Sequence, residues 1–263
     1  MYQKIKALVL RITDYNDRDA LLTVLTRQHG KLTIKARGLR RKSSPLTAAC
    51  QLLAYGEFTL FEYRGMYTIN EAVPLEFFEG LRRDLDKLSL GTYFAQVAEV
   101  LSQEDLTNPE LQALTLNCLH ALAKTALSHE LIKAVFELRA ICLAGYLPDL
   151  TGCHTCGSFY PDRFDLSAGV LECSTCRDIT SSGIRMPVTP GVIDAMRYIT
   201  DCEPGRIFSF SVSAETLKSL GQLTESFLTT QLERGFSTLD FYKSLIFSAQ
   251  PVKKTDQLGE NHV

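Results

Sequence analysis

No stretch of this chain approaches the roughly 18 consecutive apolar residues that a membrane span requires. The opening run MYQKIKALVLRITDYND is broken by Lys4, Lys6 and Arg11 and offers no small-residue cleavage site, which reads against a signal peptide. A reducing cytoplasm is therefore the expected compartment. Charge of one sign is missing in bulk: 28 Lys+Arg stand against 30 Asp+Glu, and a net charge of -2 predicts no polyanion partner by itself. There is no G-x-x-x-x-G-K-[ST] run to cradle a nucleotide, so no fuel is expected. No carboxylate pair or Cys/His nucleophile arrangement stands out, and internal repeats and low-complexity tracts are absent. At 263 residues the chain can bury a proper core without staples, as one large domain or two modest ones.

What is present is unevenly placed. Residues 1–80 hold 12 Lys+Arg against 8 Asp+Glu, a balance of +4, and the remainder carries -6. Two halves of opposite sign point to two domains with different surfaces. The first half reads as five short β-like runs, KIKALVLRI, ALLTVLT, KLTIKAR, QLLAYGEFTLFEY and MYTINEAV, with Gly30, Gly56 and Gly65 at bends or turns. That pattern predicts a small closed or partly open β-barrel. After Pro74 the texture becomes helical. One helix begins near Asp84, a second is capped by Asn108 with Pro109 at its first position, and a third runs from about Glu130 to Gly145. Two more follow at TPGVIDAMRYIT, capped by Thr189, and SAETLKSLGQLTESFLTTQLERG, capped by Ser213. The polar tail 251–263 is expected to be disordered.

Half of the eight cysteines fall in one place, CHTCGSFYPDRFDLSAGVLECSTC. Cys153-x2-Cys156 and Cys173-x2-Cys176 are spaced as a tetrahedral structural zinc site, one ion per chain, with a spacer long enough for a β-hairpin. Four thiolates leave no open coordination position, so the metal would be structural. Four free thiols or a redox pair is the plainer alternative, but a redox C-x-x-C gives no reason for a second pair. His154 reads as a bystander. Cys50, Cys118, Cys142 and Cys202 are scattered and are expected to be reduced thiols.

From Arg27 to Lys42, RQHGKLTIKARGLRRK carries seven cations and no acid. Its alternation turns Leu32, Ile34 and Ala36 inward and a basic row outward, which continues into a Ser-rich loop and looks like a phosphate-tracking surface. Tyr55, Phe61, Tyr63 and Tyr67 offer rings for base stacking, or simply fill the barrel. A solvated face with a floppy basic loop is the bland alternative. On the third helix, Val135, Tyr146, Arg139, Ile132, Leu143 and Phe136 share a sector. A guanidinium there calls for a partner, either an internal one such as Asp149 or a carboxylate from another protein.

FELRAICLAGYLPDLTGCHTCG, running into GVLECSTC, resembles the bacterial recombination mediators of the RecO family, with its F-E-x-R helix, L-x-x-x-G-Y-x-P-x-L and first knuckle. The opening KALVLRITDYNDRDALLTVLTRQHGKLTIKARGLRRKSS is similar too, a strand pair leading to a basic loop. The resemblance implies an oligonucleotide/oligosaccharide-binding (OB) barrel over 1–79, then a helical domain over 80–250 carrying a zinc ribbon at about 151–180. Some members lack the four cysteines; here all four are present. It implies a non-enzymatic DNA repair mediator, cytoplasmic and nucleoid-associated. Such a mediator binds single- and double-stranded DNA, anneals complementary strands, and works with RecR to load RecA onto strands coated by single-stranded-DNA-binding protein. By resemblance, Lys35, Arg37, Arg40, Arg41 and Lys42 contact phosphates, joined by Arg27, Lys31 and Arg64. The acidic tail of the coating protein would dock at the Arg139 sector. The rivals are a zinc-ribbon adaptor that binds only proteins, and a zinc-dependent nuclease, which a saturated thiolate site disfavours.

Overall fold

Period-two alternation in the first third of the chain builds five strands: β1 (Tyr2–Tyr15), β2 (Asp19–Thr26), β3 (Lys31–Ala36), β4 (Tyr55–Tyr63) and β5 (Met66–Glu76). In the computed structural model, which describes residues 2–104, 106–176 and 183–249, they close into a barrel in the order β1-β2-β3-β5-β4. All neighbours are antiparallel except β3 and β5, whose parallel pairing completes the closure. Ile5, Ala7, Val9, Leu22, Val24, Ile34, Phe58 and Leu60 fill the interior. The segment between β3 and β4 caps that interior with Leu39, Leu46, Ala49 and Cys50 and is not a floppy loop. The fourth strand starts later than the run QLLAYGEFTLFEY suggests. Gln51–Ala54 form a turn bonded to Val9 on both sides, Leu53 N to Val9 O and Val9 N to Ala54 O at 2.9 Å each.

Helices follow: α1 (Glu79–Arg82), α2 (Leu85–Leu101), α3 (Pro109–Lys124), α4 (His129–Leu143), α5 (Pro190–Asp201), α6 (Ala214–Gln231) and α7 (Ser237–Ala249). Their starts are set locally. Asp84, Asn108, Ser128, Thr189 and Ser213 each accept hydrogen bonds from first-turn N–H groups of α2 to α6, and Pro109 and Pro190 occupy positions with no N–H to satisfy. The last helix, α7, lies beyond the five helices the sequence pattern signals. Its apolar residues Leu239, Tyr242 and Ile246 pack on the main core, and Thr238 Oγ1 lies 2.5 Å from Gln96 Oε1 of α2.

Between α4 and α5 a small sheet, β6 (Asp149–Cys153), β7 (Arg163–Asp165), β8 (Val170–Glu172) and β9 (Arg185–Pro187), runs in the order β6-β8-β7-β9. β7 and β8 are the antiparallel hairpin that the cysteine spacer predicts. The end of the predicted ribbon, 177–180, and the tail 251–263 lie outside the described residues.

The barrel is docked, not tethered. Leu8, Leu10 and Leu25 point out of the barrel and join the helical core, so β1 is buried on both faces from Ala7 to Leu10. Burying each such leucine contributes roughly 1.5–3 kcal/mol. Gln112 of α3 donates to Leu25 O at 2.7 Å, and Arg11 bridges to Glu99 of α2 at 2.9 Å.

Candidate nucleic-acid interface and four-thiol centre

Strand β3 carries the alternation expected of it: Leu32, Ile34 and Ala36 are buried, Lys31 and Lys35 half-buried, Thr33 exposed. The cations around it are not equivalent. Lys35 pairs with Asp19 at 3.1 Å, its ammonium 4.6 Å above the Tyr15 ring, and its side chain keeps 16% of its exposure. Lys31 donates to Glu99 O at 3.0 Å, at the docking surface with α2. Arg40 is exposed and paired with Asp14. Arg37, Arg41 and Lys42 are exposed and, among the described residues, have no ion pair. Arg27 is exposed at the end of β2. Arg64 is exposed at the tip of the β4–β5 hairpin, 5.2 Å over the Tyr63 ring.

Two aspartates organise this region. Asp19 accepts from Gly38 N at 2.8 Å and pairs with Lys35; the Gly38 N–H first, then Lys35, holds its carboxyl below the usual range. Arg40 N donates to Arg18 O at 3.1 Å, which ties the basic loop to the β1–β2 turn. Arg18 is exposed there, a cation that sequence reasoning missed because it joins the patch only through this turn-to-loop contact. The rings divide as well. Tyr55 and Tyr67 pack against the two cores, whereas Phe61 and Tyr63 are exposed.

In the ribbon, the four Sγ atoms of Cys153, Cys156, Cys173 and Cys176 lie within 4.8 Å of one another. A tetrahedral ion with sulfur bonds of about 2.3 Å spaces its ligands roughly 3.8 Å apart. Cys156 Sγ and Cys173 Sγ are 3.9 Å apart, so the donors fit a thiophilic divalent ion. The first knuckle closes through Gly157 N to Cys153 O at 2.8 Å, with Gly157 at φ +72°, a conformation glycine adopts without strain. Cys173 N points at Cys153 Sγ at 3.3 Å. Burial raises the Cys153 thiol, but N–H groups of Cys156, Cys173 and Thr155 together outweigh it and hold it at about 6. His154 is exposed and is not one of the clustered ligands.

Arg139 corrects one expectation. Its Nη1 donates to Ile199 O at 3.1 Å and to Thr200 O, at the carboxyl end of α5, while Asp149 accepts from Thr151 N at 3.0 Å. The helix end is a better acceptor because its last carbonyls lack intrahelical partners and carry the negative end of the dipole. Tyr146 also leaves the predicted sector, since α4 stops at Leu143 and Gly145 turns at φ +100°. A cavity of about 450 Å³ adjoins this helix end, lined by Leu147, Leu150, Arg197, Thr200 and the carboxylates of Asp149 and Asp201. Beside Arg139 in the F-E-x-R motif, Glu137 is fully buried. It accepts from Tyr93 Oη at 2.8 Å and Thr224 Oγ1 at 2.9 Å, and pairs with Lys133 at 2.9 Å.

Comparison with known proteins joins the two halves. The amino-terminal model of recombination protein O matches residues 1–78, and its carboxyl-terminal model matches 82–240. The chain belongs to the RecO family. Among its relatives, the DNA repair protein RecO of Acetivibrio thermocellus is 32% identical over 247 residues, covering 93% of this chain and 97% of the relative. The RecO protein of Alkaliphilus metalliredigens is 31% identical over 248 residues, 93% and 100% of the two chains. The RecO protein of Symbiobacterium thermophilum is 26% identical over 246 residues, 92% and 96%. For this RecO family member the OB-like barrel, the helical body and the clustered cysteines are therefore one architecture with a role in DNA repair. Among the described residues no helix is long and apolar enough to cross a membrane.

Proposed function

We propose that this protein is a non-enzymatic recombination mediator acting in the cytoplasm at the nucleoid. It binds single- and double-stranded DNA, anneals complementary strands, and with RecR loads RecA onto strands coated by single-stranded-DNA-binding protein. One observation carries the reading: Arg37, Arg41 and Lys42 are exposed and, among the described residues, make no ion pair, on a loop that Asp14 and Asp19 hold in place, so their charge is available to phosphates. Arg40 and Lys35 contribute once a phosphate competes with their aspartates, and Arg27, Lys31 and Arg64 extend the field. Neutralising two strands at one loop lowers their mutual repulsion, which is the electrostatic requirement of annealing.

The four cysteines hold one structural zinc, which clamps a ribbon too small for a core of its own. Residues 1–79 form the DNA-binding module and 80–250 the body that aims it. The acidic tail of the coating protein docks at the Arg139 helix end, where the adjoining cavity supplies leucines for an apolar anchor; its carboxylates must compete with Asp194 for Arg197 and sit beside Asp149 and Asp201.

The test is strand annealing by the purified protein with Arg41→Glu and Lys42→Glu, alongside a salt series. The expected result is a tenfold or greater loss of annealing rate and wild-type binding that falls steeply with salt. Unchanged annealing overturns the reading, and wild-type protein that binds no DNA at low salt leaves a protein-only adaptor.

A further inference from the structure

The barrel has two outer faces of different character. On β2 the outward residues are covered: Leu25 is fully buried under the helices, and Thr23 lies beneath Arg11, whose Nη2 is 3.3 Å from its hydroxyl. The strand-2 and strand-3 surface through which OB barrels often take oligonucleotides is thus partly closed. The opposite side is open. Directly paired residues put their side chains on one face of a sheet. A single such row crosses four strands, Lys35 of β3 opposite Thr68 of β5, Thr68 opposite Phe61 of β4, and Phe61 opposite Tyr2 of β1. The neighbouring row toward the hairpin tip pairs Met66 with Tyr63.

This row is made of rings and cations. Tyr2 is 63% exposed, Tyr63 61% and Phe61 39%. The Tyr2 and Phe61 centroids lie 5.2 Å apart at 48°, so the rings brace each other and leave surface to solvent. Arg64 lies over Tyr63. Lys4 and Lys6 flank the rings on β1, and Arg37 is exposed in the turn that directly follows β3. Glu57 is engaged by Lys4 at 3.6 Å, and Glu71 lies one row away, opposite Thr59. A sticky aliphatic surface would suit a protein partner. Tyrosine and phenylalanine interleaved with lysine and arginine, continuous with the basic loop, suit flat bases joined by phosphates.

We propose that this face is the stacking platform for single-stranded DNA, with bases lying on Tyr2, Phe61 and Tyr63 and phosphates tracked by Arg37, Arg64 and Lys4. The proposal rests on the DNA-binding reading and specifies its ligand: a duplex keeps its bases stacked inside and offers these rings nothing, so the face selects unpaired strand. The basic loop, acting on phosphates alone, serves both forms.

The experiment compares binding of oligothymidylate and of a mixed-sequence duplex by wild type, Phe61→Leu, Tyr63→Leu, Phe61→Tyr and Arg41→Ala/Lys42→Ala. Thermal melts establish that each variant is folded. Each ring-to-leucine change weakens oligothymidylate binding roughly fivefold or more and leaves the duplex unchanged, because stacking is lost and charge is not. Phe61→Tyr keeps wild-type affinity. The slope of log affinity against log salt stays the same in the ring variants and becomes shallower in the Arg41→Ala/Lys42→Ala variant. Wild-type single-strand affinity in the leucine variants overturns the platform, as does an equal loss on both DNAs. If the leucine variants instead keep DNA and lose RecR, the face belongs to a protein partner. Failure of the underlying reading looks different: wild type then binds neither DNA.

Discussion

At the scale of single residues, buried charge is the strongest constraint. Lys133 of α4 pairs with Glu137 and with Glu225 of α6, each at 2.9 Å, and Lys243 of α7 closes on Glu225. The Lys133–Glu137 pair is asymmetric. Burial penalises the Glu137 carboxylate and pushes it up, whereas for Lys133 two carboxylates outweigh burial and hold the ammonium above its ordinary value. Lysine has two partners of opposite charge and Glu137 has one. Glu137→Ala leaves Lys133, Tyr93 and Thr224 short of a buried partner and is expected to cost about 3–5 kcal/mol, read from the denaturant midpoint. Burial also raises Glu225, but Lys133 and Lys243 outweigh it and hold it below the usual carboxylate range. A depressed carboxyl contributes stability above its unfolded value and loses that contribution as pH falls through its folded one. The contribution of Glu225 should therefore be lost only as pH falls through its lowered value, and Glu225→Gln should abolish that part of the pH dependence. On the barrel, Asp14→Asn frees Arg40. Single-strand binding is expected to tighten at low salt, with a salt slope steeper by about 0.7.

At the scale of elements, ends and turns decide the geometry. Arg139 satisfies the last carbonyls of α5, so Arg139→Ala is expected to cost about 1–2 kcal/mol and to raise hydrogen exchange in the final turn of α5. That loss is separable from the proposed tail docking by Arg139→Lys, which keeps a cation at the helix end. The β2–β3 hairpin shows a tighter constraint. Gly30 turns at φ +61°, and a β-carbon there would lie 2.2 Å from Leu106 O and 2.6 Å from Gln103 O. Gly30→Ala must push the hairpin off the α2–α3 connection as well as strain its backbone. The expected loss is about 2 kcal/mol or more, seen as a lower melting temperature.

At the scale of the whole molecule, the four-cysteine sheet is inserted between α4 and α5 with Phe164, Leu166 and Leu171 in the helical core, while the barrel keeps an interior of its own. Removing the proposed zinc with a thiophilic chelator is expected to release the knuckles and raise exchange at Gly157 and Cys173. The barrel's exchange protection and the DNA binding proposed for it should stay intact; global unfolding would show that the metal holds the barrel as well as the knuckles. Features that depend on near neighbours are legible in the chain alone: alternation in β3, the caps Asn108, Thr189 and Ser213, the paired C-x-x-C knuckles and the run of cations before Ser43. Those signals are local because a pleat, a helix start and a metal knuckle each close within a few residues. Long-range packing set what remained. It placed Asp19 on Lys35 and Asp14 on Arg40, brought Arg18 to the loop, gave Arg139 a helix end in place of Asp149, and buried Glu137 among α2, α4 and α6. It also set Tyr2 beside Phe61 by strand register. Each of these unites residues distant in the chain, and a partner across a barrel or a bundle leaves no periodic trace in either segment.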